Sequence, residues 1–134
     1  MKASIIGLAT LFAMASVIVP EAAQAQALQG THRQELSRHH LGMPGYEEIQ
    51  LRVDIDPGQT APNHRHPGEE IIYVIEGSRE YRLEGKAPVT LKAGDVLFVP
   101  TGVVHSVTNV GRTPAAELGT YIVPIGKPLV DIVK

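Results

Sequence analysis

Hydrophobic and polar residues alternate along much of the chain with the two-residue period of a β-strand. The clearest case spans residues 49–56, where Ile, Leu, Val and Ile alternate with Gln, Arg and two Asp residues. This pattern predicts a strand that buries one face and exposes the other. Similar runs predict further strands at residues 70–76, 79–84, 89–91, 96–99, 103–110 and 116–123. Turn-forming residues separate these short runs, so we expect an antiparallel sandwich or barrel.

Residues 31–41 show no clear period, and the sequence leaves their structure open. Thr31 and Gln34 have the spacing of a weak capping box, which would begin a helix. The same residues could equally form an edge strand.

Glycine and proline interrupt the chain too often for long helices. The sequence holds 13 Gly and 10 Pro, and between Gly42 and Pro128 the longest stretch free of both is eleven residues. In a helix interior, Gly costs about 1 kcal/mol and Pro about 3 kcal/mol relative to Ala. An all-α fold is therefore excluded, and we expect an all-β protein.

Length, charge and cysteine content narrow the class of protein. A chain of 134 residues forms one domain and leaves no room for a second core. The formal net charge of −2, without a stripe of Arg or Lys, argues against nucleic-acid binding. The chain has no Cys, which excludes disulfides, thiolate-bound zinc, iron–sulfur clusters and a lipoprotein acyl anchor.

The first 25 residues are predicted to be a secretory signal peptide. They contain 17 apolar residues after one early Lys, and Pro20 ends the apolar run. Two small-x-small sequences follow, which place the cleavage site near Ala25 or Ala27. We therefore expect a Sec-type signal and a periplasmic or secreted protein that meets the membrane only during export. The alternative is an uncleaved anchor, because the apolar run approaches the roughly 18–20 residues that span a bilayer.

Candidate metal ligands stand close together in the middle of the chain. His64 and His66 are two residues apart, so on a strand both imidazoles point to the same face. Glu70 follows at an even step and Glu69 at an odd one, but the Pro-Gly pair before them makes this parity unreliable. His105 could supply a fourth ligand, because Val neighbours on its own face would bury the imidazole, and coordination satisfies a buried His.

Three imidazole nitrogens and one carboxylate suit one divalent transition metal ion and suit Ca²⁺ or Mg²⁺ poorly. The candidate ions are Mn, Fe, Zn, Ni, Co and Cu, and the ligand set does not choose among them. On a six-coordinate ion, four protein ligands leave two positions for water, O₂ or a substrate. The alternative is that these are surface histidines, or core histidines satisfied by hydrogen bonds.

Two spaced motifs resemble those of the cupin superfamily. The first, G-x5-H-x-H-x3-E-x6-G, is matched by Gly58, His64, His66, Glu70 and Gly77. The second, G-x5-P-x-G-x2-H-x3-N, is matched by Gly94, Pro100, Gly102, His105 and Asn109. Ten positions in the correct order and spacing make a specific match. The short segment between the motifs is similar to that of small, single-domain, secreted bacterial cupins.

The resemblance implies an antiparallel jelly-roll β-barrel of six to eight strands, with a metal ion in its mouth. The implied metal ligands are His64, His66, Glu70 and His105, so the resemblance favours Glu70 over Glu69. The motif glycines are expected at sharp strand ends, often with positive φ. Asn109 is expected to support a turn rather than to contact a substrate.

The resemblance also bears on how the chain is organised. We expect a signal peptide at residues 1–25, an N-terminal arm at 26–45 and the cupin β-barrel domain at 46–134. Cupins commonly dimerise by packing sheets together or by exchanging N-terminal strands, so we expect a homodimer. Residues 31–41 and 129–133 are the candidate exchange segments.

Fold and ligands alone do not determine a reaction. The resemblance implies a metal-dependent enzyme of oxygenase or lyase type that acts on a small organic molecule, or else a non-catalytic periplasmic metal- or ligand-binding protein.

Other polar residues that could line the barrel mouth are Arg52, Tyr73, Tyr81, Arg82 and Tyr121. Parity places Tyr73 on the face opposite to Glu70. No second His or carboxylate is an obvious general base beside the metal, and a metal-bound hydroxide could fill that role.

Overall fold

A computed structural model describes residues 29–134, so the predicted signal peptide and its cleavage site lie outside the described residues. Within this range every regular element is a β-strand. The strands are β1 (Thr31–His40), β2 (Tyr46–Ile55), β3 (Thr60–Arg65), β4 (Glu69–Glu76), β5 (Ser78–Leu83), β6 (Val89–Lys92), β7 (Val96–Val99), β8 (His105–Asn109), β9 (Ala115–Pro124) and β10 (Asp131–Ile132). Between residues 29 and 134 there is thus no helix of the length and apolarity needed to cross a membrane.

The strands form two antiparallel sheets that face each other. Sheet A has the order β1-β2-β9-β4-β7, and sheet B has the order β10-β3-β8-β5-β6. This jelly-roll arrangement confirms the predicted all-β fold. The described residues form ten strands rather than the six to eight implied by the resemblance. Two of them, β3 and β10, follow no alternating hydrophobic pattern that would have predicted them.

The structure answers the question left open for residues 31–41. All of these residues except Leu41 form β1, which pairs with β2 from Thr31 opposite Ile55 to His40 opposite Glu47, with an irregularity between Glu35 and Ser37. β1 is the outermost strand of sheet A, and most of its side chains are exposed. The segment expected to be an N-terminal arm therefore supplies an integral edge strand.

The inward faces of the two sheets make the core. The predicted alternation in β2 is realised, because its apolar positions are buried while the polar residues between them are half-buried. One buried cluster comprises Ile55, Ala61, Ile72, Val74, Tyr81, Leu83, Val99 and Val107. A second comprises Ile49, Leu51, Val53, Tyr121 and Val123, with Leu129 packed against it. Burying these side chains is the main favourable contribution to folding.

The motif residues shape the strand ends as expected. All four motif glycines have positive φ, at 73° to 93°, a region that other residues rarely adopt. The buried amide of Asn109 donates to the carbonyls of Ile55 and Thr113, both at 2.8 Å. Its Oδ1 accepts from the backbone N–H of Gly111 at 2.9 Å. Asn109 therefore ties the end of β2 to the β8–β9 turn, which confirms its predicted supporting role.

Gly68, the residue before β4, offers a test of how closely the start of this strand approaches β9. A Cβ at this position would collide with the carbonyl oxygen of Ile122 on β9, whereas a Cβ at Gly42 would meet nothing within 4 Å. We expect Gly68→Ala to lower the free energy of unfolding in urea by about 1–3 kcal/mol through overpacking. The matched control Gly42→Ala should stay within about 0.5 kcal/mol of the wild type. Equal stabilities for the two variants would contradict this close contact.

Candidate metal centre

The fold brings the four predicted ligands together inside the barrel. His64 lies on β3, directly opposite His105 on β8, and Glu70 comes from β4 in the other sheet. The side chains are buried, with relative exposures of 6% for His64, 4% for His66, 2% for Glu70 and 3% for His105. Arg65 and Glu69 are exposed instead. The even-step parity that grouped the two His residues with Glu70 therefore agrees with the structure.

The potential ligand atoms converge on one point. The nitrogens that His64, His66 and His105 can offer all lie within 4.8 Å of one another. The Glu70 carboxylate joins them, because its Oε2 lies 3.3 Å from Nε2 of His66 and 3.3 Å from Nε2 of His105. Such separations allow several of these atoms to contact a single cation.

Backbone carbonyls orient all three imidazoles. The Nδ1 atoms of His64, His66 and His105 lie 2.7, 2.7 and 3.0 Å from the carbonyl oxygens of Pro62, Leu129 and Val103. Because a carbonyl oxygen can only accept, each Nδ1 carries the proton and donates it. Each neutral ring therefore directs the lone pair of Nε2 toward the centre of the cluster, as in a histidine that ligates a metal.

This arrangement places acceptors against acceptors. Nε2 of His66 and Oε2 of Glu70 are fully buried, and neither has a hydrogen-bond partner among residues 29–134. Buried acceptors without a donor are costly. A divalent cation between them satisfies both at once. Three imidazole nitrogens and one carboxylate are also a donor set that transition metals accept, so the residues present fit a metal ion.

Electrostatics within the cluster favours the forms that bind a metal. Burial, together with neighbouring His105, lowers the pKa of His64 to about 4, so this ring is neutral at neutral pH. Burial raises the pKa of the Glu70 carboxyl, but a proton on the facing nitrogen of His105 or His66 outweighs burial and lowers it. Burial also opposes a charge on His105, yet Glu70 raises its pKa. A cation held between Glu70 and His105 would take the place of the proton on Nε2 of His105.

A small cavity of about 10 Å³ adjoins the cluster, enough for a group the size of a water molecule. Two of the polar residues proposed for the barrel mouth, Tyr81 and Tyr121, contribute to its wall. The other three do not, because Tyr73 is exposed and both Arg52 and Arg82 form ion pairs with acidic residues near the surface.

The structure brings a second carboxylate, which the sequence did not single out, to the cavity beside the cluster. Glu117 on β9 is buried and lines the same cavity. Its Oε2 accepts a hydrogen bond from the Tyr81 hydroxyl at 2.5 Å and pairs with the Arg79 guanidinium at 3.1 Å. Burial raises the pKa of Glu117, while Arg79 and Tyr81 oppose that rise. The sequence does carry a signal for this residue: alternate residues of β9 face inward, and Glu117 is an acid among otherwise apolar inward positions.

Arg33 is a second lining residue that sequence reasoning missed. It lies on β1 opposite Val53, with no ion-pair partner among the residues the structure describes. Its positive charge is near Tyr121, because it partly offsets the burial that raises the pKa of that phenol. The sequence left residues 31–41 open between helix and strand. It therefore could not predict that Arg33 lies alongside Val53, because only a strand brings the two together.

The C-terminal segment closes the barrel next to His66. The Leu129 carbonyl accepts the His66 hydrogen bond, Asp131 pairs with Arg65 at 2.7 Å, and the N–H of Val133 donates to the carbonyl of Asn63. Outside this segment lies an open cleft of about 570 Å³, with His66 in its wall. The cleft offers a ligand space to approach the cluster from the rim.

Comparisons with known proteins agree with this fold. The oxalate-binding protein of Thermotoga maritima is 39% identical over 72 residues, which are 53% of this chain and 59% of that protein. Oxalate oxidase in complex with glycolate has a TM-score of 0.62 at 27% identity, covering 77% of this chain and 55% of the other. DMSP lyase DddQ from Ruegeria pomeroyi has a TM-score of 0.66 at 25% identity, and the match covers 81% of this chain and 54% of the other.

The chain spans only part of these curated relatives, from 35% of Germin-like protein 1-1 of Oryza sativa to 59% of the oxalate-binding protein. The family model for the cupin domain matches residues 51–121, which include both histidine motifs. That match covers more than half of the sequence, and the jelly roll brings the motif histidines together. The chain therefore belongs to the cupin family.

Proposed function

We propose that His64, His66, Glu70 and His105 hold one divalent transition metal ion, and that the protein is a metal-dependent enzyme acting on a small organic acid. The observation that carries the proposal is the convergence of buried acceptor atoms without donors. When bound, the ion supplies Lewis acidity and open coordination positions for water, O₂ or substrate. The identity of the ion among Mn, Fe, Zn, Ni, Co and Cu is left to metal analysis.

The charges around the cavity favour an anionic ligand. A divalent ion and Arg33 contribute positive charge, Glu70 contributes one negative charge, and Arg79 balances Glu117. The site therefore carries net positive charge and attracts a carboxylate. Two of the similar proteins are described as binding or oxidising oxalate, which supports the same substrate class.

The polar lining favours an enzyme over a passive metal-holding protein. Tyr81, Tyr121 and Glu117 face the cavity, so hydroxyl and carboxylate groups are available to position a ligand and to exchange protons with it. A mouth filled only by Leu and Val would have offered none of these groups. The small cavity admits only a group the size of a water molecule, so a ligand can present only one small group to it. The second candidate is a non-catalytic ligand-binding protein that uses the same site.

Location and assembly complete the proposal. The predicted signal peptide supports a periplasmic or secreted protein. A homodimer is supported by an exposed apolar face on sheet A, formed by Ile71, Tyr73 and Ile75 of β4 with Val96 and Phe98 of β7. Both candidate exchange segments already pair within their own chain, β1 with β2 and β10 with β3, so we favour packing between these faces.

The ligand assignment can be tested by metal analysis. His64→Ala should lower the affinity for the metal at least about 100-fold, because even partners of ligands contribute 10–100-fold. The control His39→Ala removes an exposed imidazole of β1 and should retain the wild-type metal content. Added metal should raise the melting temperature of the wild type and the control, but not of His64→Ala. One equivalent of metal on His64→Ala would refute the assignment.

Activity separates the two candidate functions. Protein stripped by a chelator and reloaded with each ion in turn should consume a small carboxylate, with O₂ uptake for an oxygenase and without it for a lyase. The stripped protein should be inactive. Saturable binding of a small carboxylate without turnover, for every ion that loads, would instead favour the binding protein.

The dimer can be tested by light scattering after size-exclusion chromatography. Val96→Asp places a charge at a position that is 61% exposed within the apolar face of sheet A, and it should halve the measured mass. Val89→Asp makes the same change on β6 of sheet B, at an exposed residue outside that face, and should leave the dimer intact. A monomeric wild type would exclude the dimer.

A further inference from the structure

We propose that residues 126–133, which we call the C-terminal gate, open to let the metal ion enter and leave the cluster of four ligands. The inference rests on the proposed function, in which these side chains hold a cation. It goes further by assigning the route of the ion and the contacts that control its rate of exchange.

The residues that the structure describes leave the cluster no passage wide enough for a hydrated ion. All four ligand residues are at most 6% exposed, and the cavity beside them has room for one water molecule. A hydrated divalent ion carries several water molecules and is therefore larger than this space. Part of the barrel wall must move before the ion can be exchanged.

His66 lies between the cluster and an open cleft. Of the four ligands, only His66 also lines the cleft of about 570 Å³, while its Nε2 is buried on the side of the cluster. The C-terminal gate supplies four other residues of the cleft wall, which are Lys127, Pro128, Val130 and Asp131. Movement of the gate would therefore join the cleft to the cluster at His66.

The gate is held to the barrel by few contacts along its length. Its strand, β10, has two residues and is the outermost strand of sheet B, where it pairs with β3. Arg65 pairs with Asp131 at 2.7 Å, but these side chains are 51% and 57% exposed, and exposed ion pairs contribute little stability. After β10, the N–H of Val133 donates to the carbonyl of Asn63 at 2.9 Å. Edge segments with few buried contacts are the ones that open without global unfolding.

Opening of the gate would also weaken one ligand. The Leu129 carbonyl, which lies within the gate, accepts from Nδ1 of His66 at 2.7 Å and so fixes the orientation of the ring. Leu129 is half-buried against the second apolar cluster, a contact that favours the closed position. When the gate moves, His66 loses its acceptor, and loss of such a partner lowers metal affinity about 10–100-fold. One movement therefore opens the route and loosens the ion, so we expect gate opening to limit the rate of release.

A disulfide across the gate tests this expectation. Residues 65 and 131 are directly opposite in the antiparallel pair, where Cα atoms lie about 4.5–5.5 Å apart, a distance that a disulfide can span. The chain has no native Cys, so Arg65→Cys with Asp131→Cys can form only this bond within one chain. With Zn²⁺ as the probe, the oxidised variant should release the ion to an excess of coloured chelator at least about ten-fold more slowly than the wild type, because a disulfide strongly restricts the open state.

The matched control is Thr60→Cys with Thr108→Cys. These residues are opposite each other on β3 and β8, and their hydroxyl oxygens are 2.8 Å apart. Their disulfide ties the other end of β3 and does not touch the gate. It should leave the release rate within about two-fold of the wild type.

A single substitution tests the gate even if the disulfide does not form. Asp131→Asn removes the exposed ion pair with Arg65 and should speed the release of Zn²⁺ by about two- to five-fold. Glu80→Gln removes the ion pair with Arg82 on β5, away from the gate, and should leave the rate unchanged.

Hydrogen exchange measures the opening without a metal. In metal-free protein the Val133 amide should exchange faster than the amide of the fully buried Asn109, which donates to the Gln59 carbonyl at 3.0 Å. Equal release rates for the clamped and wild-type proteins, or equally slow exchange at Val133 and Asn109, would overturn the gate. Failure of the wild type to bind Zn²⁺ or any other candidate ion would instead overturn the proposed function, and with it the role of the gate.

Discussion

The convergence of buried acceptor atoms is the constraint on which the site depends. Three imidazoles direct lone pairs toward a carboxylate, and Oε2 of Glu70 lies 3.3 Å from two of the ring nitrogens. Such a cluster is unfavourable by itself and becomes favourable when a cation occupies it. The two sheets must therefore be rigid enough to keep the rings together. The cross-strand pair of His64 and His105 and the two packed apolar clusters provide that rigidity.

The cavity contains two buried carboxylates with different partners. Glu70 faces the ring nitrogens of His66 and His105, whereas Glu117 faces a guanidinium and a phenol. Groups of the same type placed in different surroundings take different chemical roles. Glu70 is suited to binding a cation, and Glu117 is held in place by Arg79 and Tyr81. A buried carboxylate such as Glu117 would be costly alone, and its neighbours Arg79 and Tyr81 offset that cost.

The parts of the fold that depend on local pattern could be predicted from the sequence, and the parts that depend on long-range contact could not. Alternation predicted β2 and most of the other strands, and motif spacing identified the four residues that the fold brings together. β3 was missed because Pro62 and the polar residues around it break the alternation, and β10 because two residues carry no period. Arg33 and Glu117 lie outside both motifs, and only the pairing of β1 and β9 with β2 brings them to the cavity.

The C-terminal segment links the completion of the fold to the geometry of the metal site. His64 and His105 each donate to a carbonyl two residues earlier, so their ring orientations are local properties of β3 and β8. His66 lies just beyond the end of β3, and its acceptor is Leu129, which is 63 positions away. Leu129 also packs against the second apolar cluster. The burial of one side chain near the end of the chain therefore positions the carbonyl that orients His66, and the third imidazole is in place only when the barrel has closed.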